Sequence, residues 1–182
     1  MTLPVILIKT NRHLFHSCSD GEDKMKLITF GMVDELIAKA GKTERLRINH
    51  NIHESLSDPV QRLFIAAWRS SYFRPHRHPE KSEFAIVIRG LFDVIFFDDE
   101  GVVTERISAG PGTDTFAMEI PAGQCHTWIP MAEQSVFFEV KAGPYDPATS
   151  LLFAPWSPAE GTTQVKEFQA RLHTVRIGER IL

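Results

Sequence analysis

His76-Arg77-His78-Pro79-Glu80-Lys81-Ser82-Glu83 decides the fold. Two histidines at i and i+2 on a strand point to the same face. The short turn at Pro79-Glu80-Lys81 lets Glu83 open the next strand with its side chain turned the same way. Gly90 follows, giving the spacing His-x-His-x4-Glu-x6-Gly. Far downstream, Pro121-Ala122-Gly123-Gln124-Cys125-His126 supplies a third histidine directly after a tight turn. Three imidazoles and one carboxylate meeting at a point make a strong site for a divalent transition metal. The expected ligands are His76, His78, Glu83 and His126, with Fe, Mn, Ni, Zn and Co all compatible. Strand parity places Arg74 and Tyr72 on the face of His76 and His78, and Trp128 on that of His126.

The sequence around these residues reads as strands. Apolar-rich runs cover residues 63–69, 72–78, 83–89, 91–97, 102–108, 116–120, 125–129 and 136–141. Such runs, about 8–12 residues apart with turn chemistry between them, signal an all-β sandwich or barrel. Asp98-Asp99-Glu100-Gly101 is the clearest hairpin turn. The 83–89 run is apolar on both faces, with Phe84, Ile86 and Ile88 on one and Ala85 and Val87 on the other. A strand of this kind needs cover on both sides. Terminal segments, a second subunit or both can provide it, and a homodimer is expected.

Ahead of the strands, Phe30, Val33, Leu36, Ile37 and Ala40 recur at helical spacing, and Gly41 is a fitting stop. Residues 45–58 turn polar, with Asn49, His50, Asn51, His53 and Glu54 close together. After Lys141 a Pro-rich connector leads to a last helix expected over residues 163–173. The chain thus divides into an N-terminal extension (1–61), a barrel core (62–142) and a C-terminal loop and helix packed on it (143–182), within one domain.

The 182 residues carry a formal charge of −3, so no basic field holds nucleic acid or an anionic membrane. Two cysteines, Cys18 and Cys125, are too few for a disulfide framework, and a reducing cytoplasm fits best. The apolar run Pro4-Val5-Ile6-Leu7-Ile8 is far too short to span a membrane and reads as a short strand. Met25 offers a second possible start, which would make the first 24 residues dispensable.

These motifs resemble those of the cupin superfamily. Its first motif is Gly-x5-His-x-His-x3–4-Glu-x6-Gly; here Ser70 stands for the opening glycine. Its second is Gly-x5-Pro-x-Gly-x2-His-x3-Asn; here Thr115 replaces the glycine and Pro130 the asparagine. The departures fall on turn and end positions, not on ligands. The stretches Asn49-His50-Asn51-Ile52-His53, Asp58-Pro59-Val60-Gln61-Arg62, Arg74-Pro75-His76-Arg77-His78-Pro79, Gly143-Pro144-Tyr145-Asp146-Pro147 and Phe153-Ala154-Pro155-Trp156 are similar to the WbuC family of cupin-fold metalloproteins. The resemblance implies a mainly β protein: a cupin-type double-stranded β-helix (jelly-roll) barrel with one metal, an N-terminal helix and a short C-terminal helix. Family members occur near genes for bacterial surface-polysaccharide synthesis.

A metal held this way polarises carbonyl or hydroxyl oxygens. The first expectation is a metalloenzyme acting on a small oxygen-rich ligand such as a sugar, by isomerisation, epimerisation or dioxygenation. In it Arg74 holds an anionic group and Glu83 or a metal-bound hydroxide moves a proton. The alternative is a non-catalytic metal- and sugar-binding module. Asn49 and His53 are placed at the pocket mouth with Tyr72 and Trp128. Glu139 and Lys141 share a strand face and are expected to pair, Tyr145 to anchor a loop, and Cys125 to pack outside the barrel.

Overall fold

The computed structural model describes residues 25–182. The run from Pro4 to Ile8, the histidines His13 and His16, and Cys18 lie outside the described residues. Helix α1 (Phe30–Ala40) is capped by Thr29, whose hydroxyl accepts a hydrogen bond from the Met32 N–H, and it ends at Gly41. Its stripe Val33, Leu36, Ile37 and Ala40 is buried against Phe64, Ala66 and Val136. The indole N–H of Trp68 donates to the Ile37 carbonyl at 3.0 Å and fixes the helix end on the sheet.

Among the described residues ten strands form two antiparallel five-stranded sheets. The first has the order β1 (Arg47–Asn51), β2 (Val60–Trp68), β9 (Gln134–Ala142), β4 (Glu83–Arg89), β7 (Ala117–Ile120). The second runs β10 (Leu152–Phe153), β3 (His76–Arg77), β8 (Cys125–Pro130), β5 (Phe92–Phe97), β6 (Val103–Ala109). Alternate side chains of both sheets meet in a core built on Phe73, Val87, Phe92, Val94, Trp128 and Phe137. Trp128 from one sheet stacks on Phe137 from the other, with centroids 4.3 Å apart. A fully buried aromatic of this kind contributes about 1.5–3 kcal/mol.

The outer faces are covered from the chain's two ends. Helix α2 (Val165–Thr174) lays Phe168 and Leu172 over Ile95, Phe97 and Cys125 of the second sheet. Cys125 therefore packs outside the barrel, as its parity requires. On the first sheet α1 covers β1, β2 and part of β9, while Phe84 and Phe116 stay exposed. No helix among the described residues is long and apolar enough to cross a membrane.

Three elements differ from the sequence expectation. The 72–78 strand shrinks to His76–Arg77, because Pro75 has no N–H for a ladder and residues 71–75 run irregularly. β1 forms inside the polar 45–58 segment, so the first sheet begins ahead of the expected barrel start at 62. β10 forms in the connector after Lys141 and pairs with β3.

Candidate metal centre

The register brings the four expected ligands together between the sheets. His76 on β3 pairs directly with His126 on β8. His78 follows β3, and its carbonyl accepts the Gly123 N–H at 2.7 Å, which ties the two histidine-bearing segments at a second point. Glu83 opens β4 on the facing sheet. His78, Glu83 and His126 are buried, and His76 is half-buried.

Each imidazole is oriented by a backbone carbonyl. Nδ1 of His76 meets the Arg74 carbonyl at 2.9 Å, Nδ1 of His78 that of Ser150 at 2.6 Å, and Nδ1 of His126 that of Gln124 at 3.0 Å. A carbonyl only accepts, so each Nδ1 carries a proton, and each ring in its neutral form presents the Nε2 lone pair. This is the tautomer and outer-shell partner that a metal-bound histidine needs.

Glu83 sits against these lone pairs. Its two carboxylate oxygens lie 3.0 Å from His78 Nε2 and 3.2 Å from His126 Nε2. Neither ring nitrogen makes a hydrogen bond, nor does Glu83 Oε1. The atoms are close, but off the axis a ring N–H would use. Donors that share one ion at about 2.1 Å and at right angles lie about 3 Å apart, their lone pairs aimed at a common point and not at each other. The donor types and ring tautomers therefore suit a divalent ion. Among the described residues no group of three or more His, Cys, Asp or Glu side chains stands in a metal-holding arrangement.

Charge is arranged to match. Burial and the neighbouring His126 push His76 down to about 3, so it stays neutral. Burial works against ionisation of Glu83, yet the His126 and His78 rings and Lys141 hold its carboxyl well below the usual range. Burial also lowers His126, but the Glu83 carboxylate outweighs it and the net shift is upward. Beside them Lys141 pairs with Glu139 and lies 4.0 Å from Glu83. Glu139 is raised, by burial first and by the charge of Glu83 second.

A cavity of about 620 Å³ opens over this cluster. Trp128, His53, Asn49 and Arg74 line it. Arg74 is nonetheless engaged: Nε donates to Ser157 Oγ at 3.0 Å, Nη2 to the Ser157 carbonyl at 2.9 Å, and the guanidinium lies over the Phe153 ring. Tyr72 is a correction. It does not line the cavity but packs outward against the α2 cluster, its hydroxyl donating to the Pro158 carbonyl at 3.0 Å. The irregular chain before β3 breaks the parity that would have turned it inward, and Phe73 faces the core instead. Arg47, Asn51, Glu139, Lys141 and Glu160 also line the cavity, none of them a pocket residue by the sequence reading. The alternations Arg47/Asn49/Asn51 and Phe137/Glu139/Lys141 were the signals for four of them.

Residues 28–109 match a family described as a domain of unknown function (DUF6016). No curated protein matches the chain. Among solved structures, an uncharacterized conserved protein with a double-stranded β-helix domain from Klebsiella pneumoniae superposes with a TM-score of 0.51 at 19% identity, covering 72% of this chain and 98% of that one. An oxalate oxidase in complex with the substrate analogue glycolate gives 0.48 at 16% identity over 63% of this chain, which spans 58% of the enzyme's length. The capsular polysaccharide assembling protein CapF from Staphylococcus aureus gives 0.49 at 19% identity, covering 61% of this chain and 32% of that one. The likeness to the Klebsiella protein is one of fold, and the fold is the cupin-type double-stranded β-helix read from the sequence.

Proposed function

We propose that this cupin-fold chain is a metalloenzyme of the WbuC type, holding one divalent transition metal on His76, His78, Glu83 and His126 and acting on a sugar or sugar derivative. The observation that carries the metal is the set of three Nδ1 atoms bonded to backbone carbonyls, with two buried Nε2 atoms left beside a buried carboxylate. When bound, the ion supplies Lewis acidity toward a carbonyl or hydroxyl oxygen. The sugar rests on the sequence resemblance to a family found near surface-polysaccharide genes.

The chain's own residues divide the remaining work. Glu83, held ionised, serves as a ligand and is a poor proton carrier. Glu139, raised by burial and by the Glu83 charge, is the better group to take up and release a proton. Lys141 is lowered by burial but raised more by Glu139 and Glu83, so it stays cationic and steadies both acids. Trp128 and Phe137 form an apolar floor that limits water at the site. Arg74 keeps a guanidinium at the cavity wall for an anionic group, positioned by Ser157. The exposed Phe84 and Phe116 support a homodimer through the uncovered face of the first sheet.

Elemental analysis of the purified protein tests the core of this reading. One equivalent of a transition metal is expected, lost on replacing His126 by Ala. A full equivalent retained by that variant would defeat the site. On a responding substrate, oxygen uptake that zinc abolishes indicates a dioxygenase. Turnover with several divalent ions and no oxygen indicates an isomerase or epimerase. Ligand-induced stabilisation without turnover indicates a binding module.

A further inference from the structure

The wall of the cavity furthest from the metal cluster is built by β1, and its residues are unlike those of a structural edge strand. Ile48 and Ile52 pack into the α1 cluster. Arg47, Asn49, Asn51 and, just past the strand, His53 line the cavity, two residues apart in turn. Asn49 and Asn51 sit at the exposed rim, whereas His53 is buried.

His53 has the opposite tautomer to the metal-facing histidines. Its Nδ1 lies 2.9 Å from the Arg62 N–H and 3.0 Å from the Arg62 carbonyl. The Arg62 N–H can only donate, so Nδ1 accepts from it and the proton resides on Nε2. Among the described residues His53 Nε2 is buried and has no partner. A buried donor without an acceptor is costly. This one suits a ligand oxygen and not a cation.

Size and charge narrow that ligand. β1, β2, β9 and β4 are successive neighbours, so three strand spacings of about 4.8 Å put about 14 Å of sheet between β1 and the strand of Glu83. That is more than one sugar ring spans. Between the two ends the floor is Phe73, Trp128 and Phe137, apolar surface for the C–H faces of sugar rings. Four arginine and lysine side chains line the cavity against three glutamates, and a divalent ion adds to that positive excess.

We propose that β1 is the ligand-reading wall of this site, and that the ligand is an acidic sugar chain of about two units. Its near end lies at the metal and its far end accepts from His53 Nε2, flanked by Asn49 and Asn51. The proposal rests on the metal reading above.

The test uses metal-loaded full-length protein in thermal-shift titrations. The probes are galacturonate, digalacturonate, glucuronate and cellobiouronate, with galactose, galactobiose, glucose and cellobiose as neutral counterparts. At least one acidic disaccharide is expected to stabilise the protein more than its monomer and more than its neutral counterpart. His53→Phe should weaken that binding at least tenfold without changing metal content. If His53→Phe misfolds, the rim double variant Asn49→Ala with Asn51→Ala should give at least a threefold loss. The absence of an acidic disaccharide preference, or a preference unmoved in the folded variants, overturns the proposal. Metal content measured on the same samples separates the failures. Metal-free wild type sinks the metal reading, whereas fully loaded wild type with no such preference sinks the β1 assignment alone.

Discussion

His76 and His126 are register partners on β3 and β8, their ring centroids 4.6 Å apart, and each Nδ1 is bonded to the carbonyl two residues before it in the chain. The same local device thus orients two rings from strands that are distant in sequence. His76 is half-buried and His126 is 1% exposed, so removing them has unequal structural consequences. His76→Ala is expected to keep the fold by circular dichroism. Its metal affinity should fall by more than about 100-fold, beyond the range seen for outer-shell partners. Equilibrium dialysis with zinc measures it, and wild-type affinity in the variant would remove His76 from the ligand set.

Protons and metal compete at this centre, and the directions differ by residue. His76 is depressed to about 3 against an unfolded value of about 6.5. Its contribution to stability is therefore present above about pH 6.5 and lost as pH falls toward 3. Glu83, also depressed, adds a further loss below about pH 4.5. His126 is raised, so its contribution is present below about pH 6.5 and lost as pH climbs through its folded value. The metal-free protein should melt at progressively lower temperature as pH drops from about 6.5 to 4. Zinc binding near pH 6.5 should displace the His126 proton. Calorimetry in buffers of different ionisation heat should detect that release and find it shrinking at higher pH. Equal release at all pH values would contradict the assignment.

Glu139 and Lys141 form a buried pair one strand away from Glu83. Lys141→Met leaves two neighbouring carboxylates, Glu83 and Glu139, without their shared cation. Breaking a buried pair on one side costs about 3–5 kcal/mol. Removing both charges, as Glu139→Gln with Lys141→Met, should recover most of that loss in urea unfolding. A double variant as unstable as Lys141→Met alone would show that the lysine acts by packing and not by charge.

The convergence of His76, His78 and Glu83 was legible from their spacing: strand parity and one turn bring them together. The strand at Glu83–Arg89 was legible as a short continuous apolar run of β-branched and aromatic residues ending at Gly90. Tyr72 was misplaced because parity was carried through Pro75, where the ladder stops. β1 was hidden because the face that would mark a strand as half-buried carries Arg47, Asn49 and Asn51 in place of apolar residues. It lines a polar cavity and not a core. Glu160 could not have been found locally. Its partners Arg45 and Arg47 lie more than 100 residues away, and only the folded C-terminal loop brings them together.

Gly90, the last residue of the first motif, joins β4 to β5 with φ +72°. A Cβ placed there would lie 2.4 Å from both the Gln134 carbonyl and Ser135 Oγ. Ser135 cannot simply withdraw, because its hydroxyl accepts the Leu91 N–H at 3.2 Å and donates to the Leu91 carbonyl at 3.1 Å. Gly112 has a similar positive φ of +90°, but nothing lies within 4 Å of its would-be Cβ. Gly112→Ala thus bears the left-handed penalty alone, about 1–2 kcal/mol. Gly90→Ala bears that penalty plus an overpacking cost of about 1–3 kcal/mol. Urea unfolding of the two variants should differ by that second amount. Because Gly90 ends the strand that begins at Glu83, the Gly90 variant should also bind zinc more weakly than the Gly112 variant. Equal destabilisation would mean that the backbone at Gln134 yields, and that the turn does not hold β4 in place.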